Sequence, residues 1–135
     1  MAFYRKLTAC IENALSWSPV VLITGARQSG KTTLVQKIAQ ERGYHYQTFD
    51  DVRVLEASEQ DPIGFIEALP KPVILDEVQR NPKLFLSIKK YVDEHRVPGN
   101  FILTGSAHPL LLPQLGDSLA GRMIFCNCIH FQRGR

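Results

Sequence analysis

The sequence predicts an α/β fold, a parallel sheet covered on both faces by helices, and three features carry that prediction. Short apolar runs rich in β-branched residues alternate with stretches of helical period. A glycine loop of the form G-x-x-x-x-G-K-[ST], Gly25-Ala26-Arg27-Gln28-Ser29-Gly30-Lys31-Thr32, lies directly between one such run and one such stretch. A further apolar run, Val73-Ile74-Leu75, ends on the acidic pair Asp76-Glu77. In open parallel sheets the functional groups gather at the carboxyl ends of strands, where these residues fall.

Taken in order, Tyr4 to Leu15 reads as an amphipathic helix with Leu7, Ile11, Ala14 and Leu15 on one stripe, closed by Ser18-Pro19. Val20 to Thr24 is the first strand. After the glycine loop, Thr33 to Arg42 has helical spacing through Leu34, Val35, Ile38 and Ala39, with a stop at Gly43. Tyr44 to Phe49 is a second strand ending at Asp50-Asp51, and Val52 to Gln60 a weak helix. Asp61-Pro62 opens a short helix through Leu69, stopped by Pro70 and Pro72. Val73 to Leu75 is a buried parallel strand. Asn81-Pro82 then reads as N-cap and first-turn proline of a helix to about His95, with Leu84, Phe85, Ile88, Tyr91 and Val92 inward. Phe101 to Thr104 is a fourth strand ending at Gly105-Ser106, Asp117 to Ala120 a short helix, and Met123 to Ile129 a fifth strand.

Composition sets bounds without selecting a function. The 135 residues suffice for one domain with a real core. With 44% apolar and 21% charged residues the chain is an ordinary globular protein. The net charge is only +3 and Lys and Arg are dispersed, so nothing argues for nucleic acid as a partner. Three cysteines, Cys10, Cys126 and Cys128, form no C-x-x-C motif and suit a reducing cytoplasm. Neither a secretory leader nor an apolar run of membrane-spanning length is visible, so no membrane partner is expected.

The glycine loop has the chemistry of a phosphate cradle. Its glycines allow successive backbone N–H groups to converge on an anion, and the helix that follows adds its partial positive charge. Lys31 is placed to reach the β- and γ-phosphates of a nucleoside triphosphate, and the Thr32 hydroxyl to ligate Mg²⁺. Asp76 is the expected second residue of the magnesium shell. Glu77 is the expected base or orienter of a water attacking the γ-phosphate. Ser106, with Thr104 as the alternative, is placed to sense that phosphate. Arg122 is a source of positive charge for a phosphoryl group, including one held by a neighbouring subunit, which would make a homo-oligomer the relevant assembly.

In these segments the chain resembles the AAA-type ATPases of bacteria and archaea whose P-loop domain precedes a domain of unknown function, DUF4143. The matching pieces are Thr24 to Leu34, Asp61-Pro62, Val73 to Gln79, Phe101 to Ala107 and Ser118 to Arg122, in the family's order and spacing. The resemblance implies a P-loop NTPase sheet of about five strands in the order 5-1-4-3-2. It also implies a Walker A loop over Gly25–Thr33, a Walker B carboxylate at Asp76, a catalytic Glu77, and a sensor after strand four. ATP and Mg²⁺ are the cofactors it implies.

The resemblance covers residues 1–123 as a P-loop ATPase domain with an amino-terminal helix and stops after Met123, leaving 124–135 as a divergent tail. Back-translated with a shifted frame, that tail can read Asp-Ile-Leu-Gln-Leu-His-Pro-Phe-Ser-Glu-Gly-Glu, close to the family's usual continuation. A one-base deletion after the Met123 codon is therefore expected, with an accidental tail and loss of the carboxyl-terminal domain. A metal site from Cys126, Cys128 and His130 is the competing reading. Same-face side chains on a straight strand diverge too far to close a tetrahedral site, which disfavours it. Three functions follow: an ATP-binding protein with residues for Mg²⁺-dependent hydrolysis, a nucleotide-binding remnant with little turnover, or, by family analogy alone, a DNA-associated regulator.

Overall fold

A computed structural model of the chain describes residues 2–25, 30–105 and 119–127. The elements run α1 (Ala2–Leu15), β1 (Val20–Thr24), α2 (Lys31–Arg42), β2 (His45–Thr48), α3 (Val52–Gln60), α4 (Pro62–Ala68), β3 (Val73–Asp76), a 3₁₀ turn (Val78–Arg80), α5 (Leu84–Glu94), β4 (Phe101–Gly105) and β5 (Met123–Asn127). The five strands form one parallel sheet in the order β2-β3-β4-β1-β5, which is the expected order read from the other edge. A parallel sheet needs crossover connections, and from β1 to β4 in chain order helices supply them.

Strand periodicity divides the core into two layers. Val20, Leu22, Val73, Leu75, Phe101 and Leu103 face α3, α4 and α5 with Ile66, Phe85, Ile88 and Val92. Val21, Ile23, Ile74 and Ile102 face the other way, onto Leu7, Ile11 and Ala14 of α1 and Leu34, Val35 and Ile38 of α2. Both faces of the central strands are thus buried, which is why they read as unbroken apolar runs rather than alternating ones. Truncating Leu22 or Leu103, each 0% exposed, would cost about 2–5 kcal/mol.

Several boundaries differ from expectation. Helix α2 starts at Lys31 rather than Thr33, so Lys31 and Thr32 belong to its first turn. Its end at Gly43 is as read, with the Gly43 N–H bonded to Ala39 O. Asn81 is not the side-chain cap of α5. Its amide donates instead to Ser58 Oγ at 3.0 Å, in a buried tie to α3. The backbone of 81–85 forms tight turns, with Leu84 N on Asn81 O and Phe85 N on Pro82 O, and α5 begins at Leu84. The Asn81 amide is thus anchored to a buried hydroxyl of α3 rather than to the first turn of α5. Of the short helix expected at Asp117 to Ala120, residues 117 and 118 lie outside the described residues, as do 128 and 129 of strand five.

The turn before β4 is held by glycine. Gly99 has φ 70°, its N–H bonds Ser18 O at 2.8 Å, and its carbonyl accepts the Tyr44 hydroxyl at 2.6 Å. A Cβ there would lie 2.9 Å from Leu15 O. This close approach joins α1, β2 and β4 at the amino end of the sheet. Among the described residues, no helix is long and apolar enough to cross a membrane.

Candidate functional site

The site lies at the carboxyl edge of the sheet, where β1, β3 and β4 end side by side. Thr24 of β1 is in register with Gly105 of β4, and Thr48 of β2 with Asp76 of β3. Gly30 takes a left-handed conformation (φ 87°, ψ 8°) that an L side chain rarely adopts, and from there the chain enters α2. Lys31 and Thr32 therefore stand in the first turn of a helix whose amino end faces the ends of β1 and β3. Lys31 is buried, at 1% exposure. A lysine is rarely enclosed without a function or a partner.

Asp76 is the hub. It is 1% exposed, and its carboxylate accepts hydroxyl protons from three elements. Thr32 Oγ1 of α2 donates to Oδ2 at 3.2 Å, Tyr46 of β2 donates to Oδ2 at 2.6 Å, and Thr104 of β4 donates to Oδ1. Three donors offset the cost of enclosing a carboxylate. Burial, with the hydrogen bond to Asp76 and its charge adding to it, pushes the Tyr46 phenol well above its ordinary range, so it stays a donor.

Glu77 follows in a left-handed conformation (φ 63°, ψ 49°), uncommon for a residue with a Cβ, and is 4% exposed. Its N–H donates to Thr104 Oγ1 at 3.0 Å, and Oε1 accepts from Gln79 Nε2 at 2.6 Å. The Gln79 carbonyl oxygen is buried with no hydrogen-bond partner among the described residues.

The structure thus brings together Gly25, Gly30, Lys31, Thr32, Thr33, Asp76, Glu77 and Thr104 at one end of the sheet. Ala26, Arg27, Gln28, Ser29 and Ser106 lie outside the described residues. Arg122 does not join this group. It precedes Met123, which is in register with Val20, at the amino end of the sheet, opposite the glycine loop. There it makes a two-point pair with Asp93, Nε to Oδ1 at 2.6 Å and a terminal nitrogen to Oδ2 at 3.2 Å, and a third bond to Ala120 O at 2.7 Å. The Arg122 guanidinium holds the Asp93 carboxyl below the usual carboxylate range.

Two members of the site were not anticipated. Tyr46 read as an ordinary strand residue, although it lies two positions before the partner of Asp76, on the same face of β2. A long side chain from that position reaches the end of β3. Gln79 stands within the segment that carried the resemblance, but nothing in its spacing assigned it to Glu77.

The fold and the glycine-loop edge define a P-loop type α/β domain, and comparison with known proteins places it further. The chain belongs to the AAA domain family, whose model matches residues 18–133. It is 38% identical over 120 residues to the uncharacterised proteins Mb2031c of Mycobacterium bovis and Rv2008c of Mycobacterium tuberculosis. Those matches cover 88% of this chain but only 27% of either relative. The fold is also similar to AMPPCP-bound DnaA from Aquifex aeolicus, with a TM-score of 0.54 and 22% identity over 91% of this chain and 44% of that one. A crystal structure of a DNA replication initiation factor gives a TM-score of 0.52 at 18% identity, with the same coverage of each chain.

Proposed function

We propose that this chain binds ATP with Mg²⁺ at the carboxyl edge of its sheet and has the residues to hydrolyse it slowly. One observation carries the reading: Thr32, in the first turn after the glycine loop, hydrogen-bonds Asp76 at 3.2 Å across two elements. A hydroxyl and a carboxylate are the hard oxygen donors that suit Mg²⁺, and these two residues would hold it. When bound, the ion would neutralise charge on the β- and γ-phosphates.

The remaining steps belong to the chain's own groups. The N–H groups at the start of α2 and the Lys31 ammonium receive the phosphates. Glu77 orients the attacking water and takes its proton, held in place by Gln79. Thr104 already donates a hydrogen bond to Asp76, which supports Ser106 as the residue that senses the γ-phosphate. Binding of nucleotide by DnaA, a protein of the same fold, agrees with this reading.

A second reading, nucleotide binding with little turnover, is favoured by the placement of Arg122. Its pairing with Asp93 leaves any help to a phosphoryl group to a neighbouring copy, and charge of that kind contributes about 10³–10⁵ in rate. Calorimetry and a phosphate-release assay separate the two. The first reading expects micromolar ATP binding, lost in Lys31→Ala, and slow Mg²⁺-dependent turnover, lost in Glu77→Gln with binding kept. Binding with no phosphate release leaves the second, and a folded protein that binds no ATP removes both. The shifted-frame reading of residues 124–135 is tested by sequencing the gene and its downstream DNA for a DUF4143 domain that continues in that frame. No continuation of such a domain there would refute it.

A further inference from the structure

Cys10 on α1 and Cys126 on β5 stand 116 positions apart in the chain, yet their sulfurs lie 2.7 Å from one another. Helix α1 packs directly on β5, and Cys126 is buried in the layer shared with Leu7 and Ile11, while Cys10 is exposed to solvent. A disulfide measures about 2.05 Å, so bond formation asks the sulfurs to approach by roughly 0.7 Å. We propose that Cys10 and Cys126 form a reversible disulfide that staples the amino-terminal helix to the edge strand of the sheet, made by exchange with a low-molecular-weight disulfide of the glutathione class.

The exposure of the two thiols sets the order of events. The Cys10 thiolate attacks one sulfur of the oxidant, forming a mixed disulfide and releasing one thiol. The Cys126 thiolate then attacks the Cys10 sulfur and expels the second thiol. The two cysteine thiols are oxidised, the small disulfide is reduced, and their protons leave on the two released thiols. Oxidant reaches the pair only through Cys10, so the buried sulfur acts as the resolving one. Cys126 is in register with Ile23 of β1, whose next residues lead into the glycine loop. The bond would therefore fix the strand beside that loop, and it would close nearly the whole chain into one covalent ring. This inference is independent of the nucleotide reading.

The test incubates the purified protein with oxidised glutathione, blocks remaining thiols, and maps peptides without reduction. The expected product joins the Cys10 and Cys126 peptides with loss of two hydrogens. For a loop this long, the thermal midpoint should rise by roughly 10 °C and fall back with dithiothreitol. Cys128→Ser should keep both effects and Cys10→Ser should abolish both. Cys10 is exposed, so its replacement tests the pair without opening the core. Linkage through Cys128 in place of Cys126, a Cys10–glutathione adduct that does not resolve, or a cross-link without a rise in midpoint would each overturn the proposal.

Discussion

The hydroxyl of Thr104 is committed to Asp76: it donates to that carboxylate while accepting the N–H of Glu77 at 3.0 Å. One side-chain oxygen of β4 thus fixes both the carboxylate that ends β3 and the first backbone group of the left-handed turn after it. Thr104→Val keeps the shape and removes both bonds, leaving a buried carboxylate short of a donor and a buried amide unpaired. The expected loss is about 2–4 kcal/mol in urea unfolding. Thr104→Ser should recover most of it. A Thr104→Val protein as stable as the parent would show that the two bonds hold nothing.

Alkaline titration should expose Tyr46. A phenol whose pKa is higher in the folded than in the unfolded chain stabilises fully below the unfolded value, near 10. That stability fades as pH rises above it. Tyr46 is raised chiefly by burial and then by Asp76, and Tyr44 by burial against a smaller opposing effect of Arg42. Urea midpoints should therefore drop once pH passes about 10, and less steeply in Tyr46→Phe, which lacks the ionising group. Identical slopes in the two proteins would contradict the buried Tyr46–Asp76 contact.

Gly99→Ala should destabilise the protein by about 1–3 kcal/mol, because the residue has φ 70° and the new Cβ would press on Leu15 O. Thermal unfolding reads this directly. Tyr44→Phe, which removes only the hydroxyl on Gly99 O, should cost less. The reverse ranking would mean that the hydrogen bond, not the close approach, holds the turn.

Arg122 and Asp93 tie the entry to β5 onto α5 at the surface. Arg122→Ala should lower the thermal midpoint more at low than at high ionic strength, since exposed pairs are screened by salt. Nucleotide affinity of the isolated chain should stay unchanged, because the pair lies at the opposite end of the sheet from the glycine loop. A clear loss of affinity in calorimetry would bring Arg122 into the site.

Much of the architecture was legible because strand burial leaves a plain mark. Val20–Thr24, Val73–Asp76 and Phe101–Gly105 are covered on both faces, and their unbroken apolar runs located them to within a residue. The strand order came from the resemblance, since periodicity does not say which strands pair. Asn81-Pro82 has the pattern of a helix start, yet α5 begins at Leu84, and the tie of Asn81 to Ser58 is a tertiary contact that no local pattern carries. The place of Asp76 at the end of an apolar strand is legible in the sequence. Its tyrosine partner is not, because which side chain of a neighbouring strand reaches a carboxylate depends on register.

The left-handed backbone at Glu77 sets the proposed chemistry against stability. Glycine would sit there with less strain, of order 1 kcal/mol, since it lacks the Cβ that crowds this conformation. A Glu77→Gly chain is thus expected to unfold no more easily than its parent, while losing the carboxylate that the proposed hydrolysis assigns to the attacking water. Screening variants for heat resistance alone would favour that change and discard the proposed base.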